Sequence, residues 1–201
     1  MIKDLWSSPS LEQWHQALQK YPAMIERQGS ERLPAHDRWY REQLPLSIAA
    51  RAPAHLTHSE LIRLTEWKMA RGVWRARNLA LVRSNDPELV KATSAAALAA
   101  VDNLPVSKPF APIGIISRLA GVGPATASAI MAAAHPAHYP FLDELVAAQI
   151  PEIGVLTYTL SYYTRYAHAL QQRAEELGES WTPVLVERTL WAHVGGKANC
   201  S

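Results

Sequence analysis

The chain has 201 residues, 48% of them hydrophobic and 19% charged, with a formal net charge of +2. That make-up excludes a disordered segment and fits a folded protein built as one domain or as two closely packed subdomains. One cysteine, Cys200, excludes an intramolecular disulfide framework, a cysteine zinc site and a four-cysteine iron–sulfur cluster, and it points to a reducing, intracellular setting.

Helical periodicity and capping signals dominate from end to end, and the reading is all-α, with helices expected over roughly 10–28, 35–50, 58–71, 75–84, 87–102, 108–119, 124–135, 143–150, 157–177 and 182–194. Ser10 with Gln13 and Thr57 with Glu60 have capping-box spacing at the first and third of these. Asp86-Pro87 and Thr182-Pro183 each place a capping residue before a proline at the first helical position. Leu160, Tyr163, Ala167, Leu170, Ala174 and Leu177 recur every three or four residues, an amphipathic helix ending near Gly178. The longest apolar runs, Ala95–Val101 and Ala127–Ala134, fall far short of the roughly 20 residues needed to span a bilayer, and MIKDLWSSPS lacks the apolar core of a secretory signal. Neither membrane insertion nor export is expected.

Charge is concentrated. Between Leu61 and Lys91 seven basic residues face three acidic ones, so a nearly neutral chain carries one local cationic segment. That pattern fits docking to a polyanion through one face, and equally a solvated helix surface. Within it, Leu64–Asn78 combines Trp67, Lys68, Arg71 and Trp74. At helical spacing Trp67, Arg71 and Trp74 would share a face, so an Arg–Trp stack is expected, either walling a pocket for a flat ligand or packing into the core. Asp37-Arg-Trp-Tyr-Arg41 is a second aromatic and basic cluster, read as a packing helix. His55 with His58, and His135 with His138, lack the helix-face spacing and companion carboxylate of a zinc site, so no side-chain metal site is expected.

The most informative segment is Ile115–Met131, IISRLAGVGPATASAIM. An apolar helix end runs into Gly121-Val122-Gly123, and a second helix begins at Pro124. Two glycines permit a tight turn and close approach of another chain, Val122 can pin the turn to the core, and Pro124 suits a first helical position. Backbone N–H groups from Gly121 to Thr126, with Ala125 between, then form an anion site aimed at a phosphate.

This segment resembles the helix-hairpin-helix motif, and with Asp143 it resembles the helix-hairpin-helix DNA glycosylase superfamily. There an essential aspartate follows, by eighteen residues, the position at which bifunctional members carry a catalytic lysine. Here Ala125 occupies the lysine position and Asp143, in YPFLDELV, stands eighteen residues on. Glu144-Leu145 replaces the Thr-His common in the superfamily. Trp67-Lys68-x-x-Arg71-Gly72 also resembles a stretch found in one of its branches.

The resemblance implies a two-layer helical fold with a cleft between the layers. Residues 57–147 would form a six-helix barrel-like subdomain holding the hairpin, and 1–56 with 148–201 the second. It implies double-stranded DNA as partner, a monomer and no cofactor, with room for a monovalent cation at the hairpin carbonyls. It also implies base excision by a monofunctional glycosylase, with Asp143 stabilising the sugar cation and orienting water while Ala125 supplies no amine. A flipped base would then sit near Trp67, Lys68, Arg71 and Trp74. The alternative expectation is a DNA-binding protein that keeps the hairpin and performs no chemistry, with Asp143 a plain helix cap.

Overall fold

The computed structural model describes residues 4–101 and 108–199, and every regular element among them is helical. Cys200, residues 1–3, the last residue of the helix expected over 87–102 and part of the expected 57–147 subdomain lie outside the described residues.

Expected and observed helices agree where a cap and a periodic face coincide. Helix α5 spans His58–Arg71, opened by a complete Thr57/Glu60 capping box and closed by Gly72. Helices α6 (Ala76–Arg83), α7 (Pro87–Ala100), α9 (Pro124–Ala134), α11 (Leu160–Leu177) and α12 (Pro183–His193) lie within three residues of expectation. Prolines explain the departures. The expected 10–28 helix is two, α1 (Leu11–Gln19) and α2 (Tyr21–Glu26), because Pro22 has no N–H to continue the first. The expected 35–50 helix is α3 (Leu33–Arg38), a wide π turn over Trp39–Gln43, and α4 (Leu44–Ala49). Pro45 cannot donate back to Arg41, and the ladder loosens just before it, with Leu44 N–H donating to Trp39 five residues back. Helix α8 (Ala111–Ile116) and the one-turn α10 (Glu144–Ala147) are shorter than expected.

Helices α5 to α9 pack among themselves, with α5 against α6, α7 and α9, and α8 against both α7 and α9. Helices α1, α2, α10 and α11 lie on α12. Two joints close the groups on each other: α3 packs on α5, and α4 on α9. One continuous apolar core runs through both, from Trp14 and Trp191 to Ile113 and Ile130. The Tyr40 ring, presented by the π turn, stacks on Trp67 with centroids 3.7 Å apart, and its hydroxyl donates to the Ala129 carbonyl of α9 at 2.8 Å. Asp37 sits beneath this stack, accepting from Tyr21, Trp67 and Arg41. The 37–41 cluster is a packing joint, as its sequence suggested.

The turn between α8 and α9 is held from outside. Asn85 exchanges two hydrogen bonds with the Ala120 backbone, and Asn78 of α6 donates to the Gly121 carbonyl at 2.9 Å. Gly121 has φ +73°, and a Cβ there would stand 2.7 Å from the Asn78 carbonyl and 2.9 Å from the Val82 nitrogen. Gly123 is different. Its φ of −97° suits any residue, and a Cβ would meet nothing within 4 Å. Gly121→Ala is therefore expected to lower stability by about 3 kcal/mol, and Gly123→Ala by under about 1 kcal/mol, as read from chemical denaturation of the two variants. Equal losses would mean that the turn is not set by contact with α6.

Candidate functional site

The segment after α9 is extended, and hydrogen bonds tie down its backbone from two sides. Tyr163 and Tyr166 of α11 donate to the carbonyls of Pro140 (3.0 Å) and Phe141 (2.7 Å). Ser128 of α9 accepts from the Leu142 N–H at 2.9 Å. The chain thus reaches Asp143 with little freedom left, and Asp143 caps α10, Oδ1 accepting from the Leu145 N–H at 2.8 Å. The other oxygen, Oδ2, lies 3.5 Å from Nε of Arg71, an ion pair without a hydrogen bond.

Arg71 ends α5 and is 2% exposed. Its guanidinium donates to Glu187 of α12 and lies over the Trp191 ring at 4.5 Å from the centroid, with Phe141 at 5.3 Å and Trp67 at 5.6 Å. An arginine stripped of water among aromatic faces needs anionic partners, and it has two. Burial works against its charge, while Glu187 and Asp143 hold the proton on. The carboxylates respond in kind. Burial pushes Glu187 up to about 7, with Arg71 pulling it back. Burial likewise raises the Asp143 carboxyl, against the pull of Arg71 and of the Leu145 and Val146 N–H groups.

Asp143, Glu144, Arg71, Lys68, Arg75, Tyr158, Lys197 and the start of α9 (Gly123–Thr126) line one open cleft with a cavity of about 200 Å³. Helix α9 begins at this cleft without a side-chain cap, so no side chain at its N-cap accepts from the N–H groups of its first turn. Lys197 pairs with Glu144 at 3.2 Å. The lining side chains therefore include four cations against two carboxylates, suited to an anionic ligand.

The expected residues divide accordingly. Asp143, Gly123, Ala125, Thr126, Lys68 and Arg71 come together at the cleft. Gly121 and Val122 stand behind it, Gly121 against α6 and Val122 buried. Trp67 is wholly buried under Tyr40 and faces the core. Trp74 is 56% exposed and outside the cleft lining, because α5 stops at Arg71 and helical spacing no longer carries Trp74 onto the Trp67–Arg71 face. The stack on Arg71 comes closest at Trp191, a partner 120 positions away that spacing along one helix cannot reveal. Sequence reasoning also missed Glu187, Ser128, Asn78 and Asn85. A glutamate among the apolar positions of α12 was the legible signal for the first.

Among the described residues no group of three or more His, Cys, Asp or Glu side chains could hold a metal ion, and no helix is long and apolar enough to cross a membrane. Comparison with family models, curated proteins and solved structures finds no match to this chain.

Arg71→Met should cost about 3–5 kcal/mol at pH 8, since it leaves two buried carboxylates without their cation, and Glu187→Leu should cost less, since Arg71 keeps Asp143; the double variant should lose less than the sum. The coupling should shrink as pH falls through about 7, where Glu187 takes up a proton and the pair loses its charge attraction. Additive losses in a denaturation cycle at both pH values would show that the pair does not act as a unit.

Proposed function

We propose that this protein is a DNA N-glycosylase of the helix-hairpin-helix type, which binds duplex DNA, takes a damaged or mismatched base from the stack and hydrolyses its bond to the sugar. The observation that carries this reading is a convergence. The uncapped start of α9 and the carboxylate of Asp143, eighteen residues from Ala125 in sequence, line the same cationic cleft.

Charge divides the work among the parts. Gly123, Ala125 and Thr126 offer backbone N–H groups to a phosphate, and the open space at Gly123 lets a second chain come close. Arg75 and Lys68 add positive charge along the approach. Breaking the N-glycosidic bond leaves positive charge on the sugar at C1′ and O4′, and a fixed carboxylate facing it lowers the barrier. Asp143 suits that role because it is immobilised twice over. Ser128 and the two tyrosines pin the backbone leading to it, and the α10 N–H groups and Arg71 hold its carboxylate. The two-layer glycosylase architecture accords with the packing of α5–α9 and of the helices around α12, with the cleft at their junction.

A second reading, duplex binding without chemistry, is favoured by one observation. Asp143 is only 7% exposed and both its oxygens already face cationic or N–H partners.

Asp143→Asn separates the two. The amide oxygen can still cap α10 and Arg71 keeps Glu187, so folding and DNA binding should persist. On duplexes bearing a range of damaged and mismatched bases, scored after alkali, excision should fall by about a hundredfold or more, or about 2.7 kcal/mol of barrier. Undiminished excision in the variant removes Asp143 from the mechanism, and no excision by the parent on any such duplex leaves the binding-only reading. Gly123→Ala should fold normally and bind every duplex more weakly, whatever its sequence, with binding that weakens further as salt rises. Unchanged affinity would show that the hairpin does not hold the backbone.

A further inference from the structure

Arg71 serves two carboxylates, and base release uses only one of them. It meets Asp143 at the cleft wall with Nε and Glu187 of α12 with Nη2. Glu187 is 2% exposed and lies outside the cleft lining, so it touches no ligand there. Its effect on the cleft runs through Arg71. One guanidinium between two ionised carboxylates leaves the cluster with one surplus negative charge. When Glu187 is neutral that surplus is gone, and Asp143 is left as the anion for the whole charge of Arg71.

Of the two carboxylates Glu187 takes up the first proton. Asp143 is held ionised by Arg71 and by the Leu145 and Val146 N–H groups, whereas Glu187 accepts from Arg71 and burial pushes it up to about 7. The groups around Glu187 do not offset the change. Tyr21 of α2, Tyr40 of the π turn and Tyr166 of α11 face it, and burial keeps all three phenols neutral. Arg188, next to it on α12, adds positive charge. Of the other charged side chains on elements packed against α12, Glu12 and His15 of α1, Glu26 of α2 and Arg165, His168 and Glu175 of α11 are exposed, Arg173 pairs with Glu176, and Lys197 pairs with Glu144.

We infer that Glu187 is a positioning residue: by occupying Arg71 from α12 it leaves the Asp143 charge free to face the cleft, and a proton on Glu187 turns the cleft from stabilising a sugar cation toward gripping a phosphate. The inference rests on the glycosylase reading. Positive charge developing at C1′ and O4′ is stabilised by negative charge facing it, and a carboxylate that must answer a whole guanidinium offers less. A phosphate responds in the opposite sense, because the cleft that has lost a negative charge attracts it more strongly. One protonation therefore slows excision and tightens binding, whereas a loosened fold would weaken both.

The test compares the full-length parent with Glu187→Gln, which keeps an acceptor for Arg71 and carries no charge at any pH. Single-turnover excision and affinity are measured on a duplex bearing a base that the parent excises, at about pH 6 and about pH 8, on either side of the Glu187 titration. At the higher pH the variant should excise about tenfold more slowly than the parent and bind the duplex more tightly. At the lower pH, where Glu187 of the parent is neutral too, both gaps should close. No gap in excision, a gap of the same size at both pH values, or slower excision with weaker binding would each overturn the inference and leave the glycosylase reading standing. A parent that excises no base overturns both. If Glu187→Gln does not fold, carboxyl-carbon NMR of the parent carries the test. Glu187 should then titrate first, with excision falling as it does, and protonation of Asp143 ahead of Glu187 overturns the inference.

Discussion

A guanidinium buried among aromatic rings is the constraint on which the site depends. Arg71 closes α5, and almost none of its surface is left to solvent that could share its charge. Glu187 from α12 and Asp143 from the α10 cap must therefore come to it, and in doing so they fix the spacing of three elements distant in sequence. The aromatic faces of Trp191, Phe141 and Trp67 close the remaining sides. Such a cluster adds little net stability compared with a well-packed apolar one. Its consequence for chemistry is a carboxylate held by the backbone on one oxygen and by a cation on the other, at the wall of a cleft.

The hairpin turn shows the same division of labour at the backbone. Gly121 is a glycine because α6 leaves no room for a Cβ and because its φ is positive; Gly123 has neither need. One glycine serves the fold, and the other keeps an approach open. The two asparagines of the α6 region hold the turn by its carbonyls and amide, so the start of α9 is presented without a side chain folded over it. In the proposed reading that bare helix start is where a phosphate rests.

Much of this was legible in the sequence because it is local. Caps, prolines and apolar spacing located α5, α9, α11 and α12, and the hairpin residues from Gly123 onward line one cleft with Asp143. What was not legible depends on partners far along the chain. Trp67 and Trp74 look alike in a string of residues. Only the stop at Gly72 and the Tyr40 ring arriving from the π turn separate a core residue from an exposed one. Glu187 could be noticed as a charge on an apolar face, but its partner 116 positions earlier could not. Ser128 and the tyrosines of α11 read as ordinary packing residues, and their hydrogen bonds to residues 140–142 exist only once α9 and α11 flank that segment.

In the proposed reading one cleft both grips a DNA backbone at the start of α9 and faces a sugar with Asp143. A crystal structure of the protein with a duplex containing a stable abasic-site analogue tests it most directly. The analogue should be found turned out of the helix into the cleft. A neighbouring phosphate should lie within hydrogen-bond distance of the amides between Gly123 and Thr126, and the sugar carbon should face the Asp143 carboxylate. DNA seated on another face, or an unflipped duplex with the cleft empty, would contradict it.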